Sequence, residues 1–171
     1  GITNKEKLNP ITSITLNKSN ITLSKGTSET LKATINPSDT TDDKTVTWSS
    51  ADEKIATVKN GVVTAKATGT TKITATVGTH KAECTVTVNA KLTGIKVTPD
   101  KVTVEKGQKA NLNVTYLPAD TTDEKAVTWK SENESVATVD ENGVVTAVAG
   151  GKTKVIATAK ANNKITAVCE V

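Results

Sequence analysis

Two clusters of carboxylates stand at matching places in the chain and could by residue type bind a metal ion. They are Asp39, Asp42 and Asp43, and Asp120, Asp123 and Glu124. Ca²⁺ takes about six to eight oxygen ligands, so several carboxylates on one loop are a candidate calcium site. The spacing is not that of an EF-hand, and Asp in a loop also stabilises turns by accepting backbone hydrogen bonds. We predict turn chemistry, with no bound metal and no cofactor, and keep calcium as the alternative.

Residues suited to catalysis are few. The chain has one histidine, His80, and two cysteines, Cys84 and Cys169. A catalytic histidine needs a nucleophile and an orienting partner beside it, and two cysteines with one histidine cannot complete a tetrahedral zinc site. We predict no catalytic residue, no enzymatic activity and a surface position for His80.

The chain carries one pattern twice. Residues 44–65 read KTVTWSSADEKIATVKNGVVTA and residues 125–147 read KAVTWKSENESVATVDENGVVTA, and Trp48 returns as Trp129, 81 positions later. A period of that length suits a whole small domain better than one solenoid repeat. The sequence therefore predicts two homologous domains in tandem.

The predicted organisation is a flexible lead-in at 1–9, a first domain at 10–89 and a second at 90–171. Residues 89–91 form the link, which contains no Gly/Ser-rich or Pro-rich hinge. Three residues span at most ~10 Å. We therefore expect an elongated end-to-end arrangement with limited flexing, within a monomeric part of a longer multidomain protein.

Apolar residues alternate with polar ones in short runs, and strand signals recur about every 8–12 residues, as in a β-sandwich. Val, Ile and Thr dominate these runs, and their β-branched side chains suit a pleated sheet. We predict an all-β protein. The alternating runs include Ile14 and Leu16; Ile21 and Leu23; Leu31, Ala33 and Ile35; Val46 and Trp48; Ile73, Ala75 and Val77; Val102 and Val104; Val127 and Trp129.

The cysteines and aromatic residues fall in phase with the inward-facing positions. Cys84 and Cys169 occupy equivalent places in different domains, so we expect their Cα atoms to lie beyond the ~7 Å limit for a disulfide. We predict buried free thiols. Trp48 and Trp129 are predicted to lie in the cores rather than to stack on sugars, and Tyr116 shares a face with apolar neighbours.

Charge argues against nucleic acid as a partner. All 22 basic residues are lysines, mixed with 18 acids, and the net charge is +4. Arginine, which reads phosphates and guanine in bidentate fashion, is absent, and aromatic residues for base stacking are few. No apolar run approaches the ~20 residues of a membrane span, so we predict no membrane insertion.

Two stretches carry a family resemblance: TVTWSSADEKIATVKNGVVTAKATGTTKITAT and AVTWKSENESVATVDENGVVTAVAGGKTKVIAT. Each resembles the bacterial immunoglobulin-like domain, group 2, whose pattern runs V-x-W-x-S, (I/V)-A-T-V, N/D-G-x-V-T-A and T-x-I-x-A-T. The resemblance covers residues 11–171. It implies two Greek-key sandwiches similar to immunoglobulin domains. One departure is the last hairpin, where residues 160–164 replace a shorter turn at 77–81.

The resemblance implies an extracellular, non-catalytic repeat of a bacterial cell-surface or adhesion protein, acting as a stalk or spacer. Ligand binding stays open, with a host receptor, a matrix protein or a surface glycan as the partner and no binding residue assigned. One alternative is an Ig-like decoration of a phage tail or capsid, located on the virion. Another is an accessory glycan-binding module of a secreted, wall-bound enzyme.

Overall fold

The computed structural model describes residues 7–171. Most of the predicted lead-in, residues 1–6, lies outside the described part. The chain separates into two compact units, Gly1–Asn89 and Ala90–Val171, called domain 1 and domain 2 below. Across residues 7–171 the regular structure is all strand, as the alternating pattern predicts.

Domain 1 is built from three sheets. Its strands are β1 (Ser13–Leu16), β2 (Asn20–Ser24), β3 (Ser28–Thr30), β4 (Ala33–Asn36), β5 (Thr47–Ser50), β6 (Ala56–Lys59), β7 (Val62–Ala65), β8 (Gly69–Val77) and β9 (His80–Asn89). The strand orders are β2-β9-β8-β5, β3-β7-β6 and β1-β4. The pairs are antiparallel except that β2 runs parallel to β9.

Domain 2 repeats this plan except that residues 90–171 contain no counterpart of β2. Its strands are β10 (Gly94–Thr98), β11 (Lys109–Asn111), β12 (Asn113–Leu117), β13 (Val127–Ser131), β14 (Ala137–Val139), β15 (Val144–Ala147), β16 (Lys154–Ala159) and β17 (Thr166–Glu170). The strand orders are β13-β16-β17, β11-β15-β14 and β10-β12, all with antiparallel pairs.

Each core lies between sheets that contribute alternate residues. In β8, Ile73, Ala75 and Val77 are buried while the intervening residues point outward, because side chains alternate across a strand. Ile73 packs with Val63 of the facing sheet and with Val86 of β9. Domain 2 has a matching cluster. The apolar surface that β-branched residues bury in this way is the main favourable term in folding.

The predicted strand through Leu31, Ala33 and Ile35 is wrong in one respect, because the chain changes sheets within it. β3 pairs with β7, whereas β4 pairs with β1. At the change, Lys32 donates its backbone N–H to the side-chain oxygen of Asn17 at 2.7 Å. The alternation is continuous because Leu31 faces one apolar cluster of domain 1 while Ala33 and Ile35 face the adjoining cluster.

The predicted strand at Val102 and Val104 is also wrong. That segment makes a single parallel bridge, from Lys101 to Glu170, and is otherwise irregular. Its counterpart β2 pairs along its length with β9. The alternating pattern is present, but a strand also needs a partner for its backbone.

The two Asn-Gly turns differ. Asn60 and Gly61 both have positive φ, 49° and 82°, which gives a tight hairpin between β6 and β7. In domain 2 one extra residue is present, and only Gly143 has positive φ. There Asp140 Oδ1 accepts the backbone N–H of Val144 at 2.9 Å, so a side chain stabilises the longer loop.

Candidate functional site

The acidic loop of domain 1 uses its carboxylates on neighbouring donors. Asp42 Oδ2 accepts the backbone N–H of Ile11 at 2.9 Å. Asp43 Oδ1 accepts from the hydroxyl of Thr45 at 2.7 Å and from its backbone N–H at 2.8 Å. These two bonds hold the pKa of the Asp43 carboxyl below its usual range, the hydroxyl bond contributing most. The predicted turn chemistry is therefore present in this loop.

The same loop grips the backbone of the segment that leads into the domain. The carbonyl of Asn9 accepts from the Thr40 hydroxyl at 2.6 Å and from the Thr41 backbone N–H at 2.9 Å. The Asn9 N–H in turn donates to Thr41 Oγ1 at 2.8 Å. With the Asp42 to Ile11 bond, residues 9–11 are held by residues 40–42, an arrangement we call the clamp.

Domain 2 has the same clamp between residues 90–92 and 121–123. The carbonyl of Ala90 accepts from the Thr121 hydroxyl and from the Thr122 N–H, each at 2.8 Å. Asp123 Oδ2 accepts the backbone N–H of Leu92 at 2.8 Å. Sequence reasoning missed this role. The available signal was the Asp-Thr-Thr-Asp motif that both loops contain. The hydrogen-bond partners of these loops, however, lie about 30 residues earlier in the chain.

The clamp binds a backbone and uses carboxylates that a calcium ion would need. Among residues 7–171, no group of three or more His, Cys, Asp or Glu side chains is arranged to hold a metal ion. A carboxylate that accepts a backbone N–H satisfies a donor that would otherwise be exposed or unpaired. The geometry of the acidic loops supports chain attachment.

His80, predicted to lie at the surface, is half-buried and shares a depression with the acidic loop. It begins β9 and lines a depression of about 500 Å³ together with Asp42, Asp43 and Ile11. The described residues of this depression include threonine hydroxyls and no cysteine or serine. Domain 2 has the longer 160–164 loop at the corresponding hairpin, so the residues that line the depression in domain 1 have no direct counterparts in the sequence there.

Both tryptophans pack against the cores but keep part of their surface exposed. Trp48 contacts the apolar clusters of domain 1, and Trp129 contacts the cluster of domain 2. The glycine of each Asn-Gly turn lies against the indole ring: a Cβ built on Gly61 would stand 3.2 Å from Trp48 Cζ2, and one on Gly143 would stand 2.8 Å from Trp129 Cζ2. The predicted core position is confirmed, with incomplete burial as the difference.

The two cysteines are free and fully buried, as predicted. Cys84 pairs with Ile73 across β8 and β9, and Cys169 pairs with Val155 across β16 and β17. Burial raises the pKa of both thiols because it disfavours the thiolate. A neutral buried thiol is a poor nucleophile and a poor metal ligand.

Tyr116 also packs inward, as its alternation indicated. It lies on β12 opposite Ile95 and contacts the core cluster of domain 2. Burial, with a smaller effect of the nearby Glu124 carboxylate, raises the pKa of its phenol. It is not a freely exposed aromatic platform.

These features describe two β-sandwich domains, each of which holds the segment that leads into it. A family model described as bacterial Ig-like domain (group 2) matches residues 10–86 and 91–169. The chain belongs to this family. The resemblance seen in the sequence is confirmed for both copies.

Relatives of this Ig-like chain occur in different settings. Ice-binding protein 1 of Shewanella frigidimarina (strain NCIMB 400) is 36% identical over 164 residues, which cover 91% of this chain and 18% of that protein. An Ig-like virion protein of Serratia phage KSP90 is 34% identical over 170 residues, covering 95% of this chain and 65% of that protein. The chain therefore spans less than two thirds of either relative.

A solved structure supports the fold. The N-terminal four Ig domains of Dscam1 isoform 7.44 match with a TM-score of 0.55 and 17% identity, covering 100% of this chain and 47% of that one. The chain thus consists of tandem Ig-like sandwiches. Within residues 7–171 there is no helix long and apolar enough to cross a membrane.

Proposed function

We propose that this chain is a non-catalytic spacer in a bacterial surface protein. Each Ig-like domain holds the segment that leads into it by hydrogen bonds, so that the segment stays attached under tension or thermal motion. The observation that carries the proposal is the clamp. In both domains the acidic loop holds the backbone of the segment that leads into the domain.

The segment that leaves domain 1 is attached as well. The carbonyl of Asn89 accepts the backbone N–H of Lys25 at 2.7 Å. Domain 1 therefore holds both the segment that enters it and the segment that leaves it, which gives the repeat a defined length, as a spacer needs.

The side chains that could do chemistry support a role without catalysis. The thiols are buried, the carboxylates of the clamps accept backbone bonds, and the aromatic rings pack against the cores. An acid–base pair needs a cleft and separated pKa values. The spacer therefore supports other domains of a longer protein at the cell surface, outside the cell.

Binding is the test. The folded 171-residue chain is added to intact bacterial cells, purified cell wall, a glycan panel and host matrix proteins, with and without Ca²⁺, at ~0.5 M salt, where exposed charge attraction is largely screened. A spacer gives no saturable binding in any arm. Saturable binding to a glycan or matrix protein contradicts the spacer role and assigns recognition to the domain loops.

A second candidate function is decoration of a phage virion. It is favoured by the Ig-like virion protein of Serratia phage KSP90, which matches 95% of this chain. In that case the same panel gives saturable binding to bacterial cells or to their surface polysaccharide, without binding to matrix proteins. An accessory glycan-binding module would bind an isolated glycan instead.

A further inference from the structure

Residues 89 and 90 are neighbours in the chain but are held by different domains. The carbonyl of Asn89, the last residue of β9, accepts the backbone N–H of Lys25 in domain 1 at 2.7 Å. The carbonyl of Ala90 accepts from the Thr121 hydroxyl and from the Thr122 N–H in domain 2, each at 2.8 Å. The chain therefore passes from one domain to the next with no unattached residue, as long as the clamp of domain 2 is closed.

The segment that this clamp holds, residues 90–92, belongs to no strand. Its backbone is bonded to one short loop: the Ala90 N–H donates to Thr122 Oγ1 at 3.1 Å, and the Leu92 N–H donates to Asp123 Oδ2 at 2.8 Å. The bonds between the segment and the loop are thus separate from the pairing of the sheets.

A single large side chain anchors the segment in the core. Leu92 is 3% exposed and packs in the apolar cluster of domain 2, whereas Lys91 is exposed and Ala90 has only a methyl group to bury. The next residue, Thr93, already donates its N–H to the Leu117 carbonyl of β12 at 2.8 Å. Opening of the clamp therefore removes one large side chain from the core and stops before the sheet formed by β10 and β12.

The central strand of domain 2 is held far more extensively. β16 is paired on both sides, with Ala157 opposite Trp129 in one neighbour and opposite Ala167 in the other. Val155 and Ala157 are 0% exposed and Ala159 is 1% exposed. Local opening favours regions with few buried apolar contacts, and the clamp is such a region.

We propose that the clamp of domain 2 is a conformational latch that opens as one unit while the sheets of the domain stay folded. With the latch closed, the chain has no unattached residue at the boundary of the two domains. With the latch open, residues 90–92 are free, span at most ~10 Å and act as a hinge. The use of this hinge to relieve tension on the cores rests on the spacer function proposed above, whereas its opening is a property of the chain alone.

Amide exchange measured by NMR on the 171-residue chain tests the latch directly. The Thr122 N–H, bonded to Ala90, reports on the clamp, and the Ala157 N–H reports on the sheets. We expect the protection of Thr122 to be lower than that of Ala157 by about tenfold or more, and to change little in dilute urea, because a local opening exposes little surface. Equal protection at the two sites, with the same dependence on urea, overturns the proposal, because the clamp then opens only when the whole domain unfolds.

Asp123→Ala tests whether the clamp opens as a single unit. The substitution removes the acceptor of the Leu92 N–H and leaves the groups that bond Thr122 to Ala90 in place. If the unit opens together, protection at Thr122 falls about tenfold, as expected for the loss of one hydrogen bond to a charged group. Protection at Ala157 falls by a similar factor, because the lost bond is absent from the unfolded domain too. Unchanged protection at Thr122 overturns the single unit.

Asp42→Ala is the matched control, because it makes the same change in the clamp of domain 1. It is expected to leave the protection of Thr122 and Ala157 unchanged. A change at Thr122 in this variant contradicts a latch that belongs to domain 2.

The hinge itself is observed when the latch is held open. Thr121→Val combined with Asp123→Ala removes the buried hydroxyl and the carboxylate that hold the segment. Backbone order parameters from NMR relaxation at residues 90–92 are expected to fall from about 0.85 to below about 0.6, while those of β16 stay high. Thr121→Ser alone keeps the hydroxyl and is expected to leave the segment ordered. Low order in the unchanged chain, or high order in the double variant, overturns the latch.

The signals of β16 show whether domain 2 is folded in each variant. If the double variant does not fold, amide exchange in the unchanged chain still decides between local and global opening. Because these measurements need no binding partner, the latch and the spacer function can fail separately.

Discussion

Replacing the glycine of the first Asn-Gly turn distinguishes the free-energy cost of a left-handed backbone from the cost of steric overpacking, which usually occur together. Gly61 has a φ of +82°, and a Cβ added there would lie 2.5 Å from the carbonyl oxygen of Leu31 and 3.2 Å from Trp48 Cζ2. Leu31 cannot retreat freely, because its own N–H donates to the Gly61 carbonyl at 2.8 Å. Gly26 is the matched control: its φ is +87°, and a Cβ there would meet nothing within 4 Å.

The magnitudes follow from this contrast. A left-handed conformation costs an L-residue other than glycine about 1–2 kcal/mol, and this applies to both Gly61→Ala and Gly26→Ala. Overpacking adds about 1–3 kcal/mol only at Gly61. We expect Gly26→Ala to lower the free energy of unfolding of domain 1 by about 1–2 kcal/mol and Gly61→Ala by about 2–5 kcal/mol. Against a total of about 5 kcal/mol for a small domain, the second change unfolds a measurable fraction of domain 1 in water.

The assay is urea unfolding followed by two-dimensional amide NMR, which reports on each domain separately. Peaks from domain 1 should lose stability in the order wild type, Gly26→Ala, Gly61→Ala, while the midpoint of domain 2 stays constant. If Gly61→Ala is no worse than Gly26→Ala, the turn does not press on Trp48 and Leu31 as described. A simultaneous shift of domain 2 would contradict independent cores.

Three further predictions concern the clamps, the thiols and the acidic loops. Asp42→Ala should lower the free energy of unfolding of domain 1 by about 1 kcal/mol, because the Ile11 N–H loses its charged acceptor. Asp42→Asn keeps an oxygen at that place and should lower it less. Urea midpoints that fall equally in the two variants would refute a hydrogen-bonded clamp. Cys84 and Cys169 should react with a thiol reagent only as fast as their domains open. Since burial raises both thiol pKa values, their contribution to stability is present below pH ~8.5 and falls as pH rises past it, where the unfolded thiols ionise; stability that is constant up to pH 10 would contradict this. Millimolar Ca²⁺ should leave both melting temperatures unchanged, and a rise of several degrees would mean that a loop binds the ion after all.

The clamp shows why the candidate sites were harder to predict than the fold. Asp42 and Asp123 were recognisable as loop carboxylates, and their turn chemistry was predictable from residue type. Their acceptance of the N–H groups of Ile11 and Leu92 was not, since those donors lie about 30 residues away in sequence. Likewise, nothing local in the sequence places His80 in the same depression as Asp43.

The fold was predictable wherever a short-range rule applies. The repeat gave two domains, and alternation placed Ile73, Cys84 and Val86 in the core, because a strand sends successive side chains to opposite faces. The same rule does not say which strands pair with one another, and predictions that depended on strand pairing were wrong. It joined Leu31 to Ile35 in one strand, although the chain moves between sheets there.

Sequence alone therefore determined the all-β class, the tandem copies, the family and the inward face of most strands. The tertiary structure alone decided which backbone N–H donates to each carboxylate and which strand lies beside each sheet edge. Val102 and Val104 are the sharpest case: they alternate as Ile21 and Leu23 do, yet they form no strand. The physical reason is that side-chain alternation is a local property of the chain, whereas a strand exists only when a distant segment satisfies its backbone N–H and C=O groups.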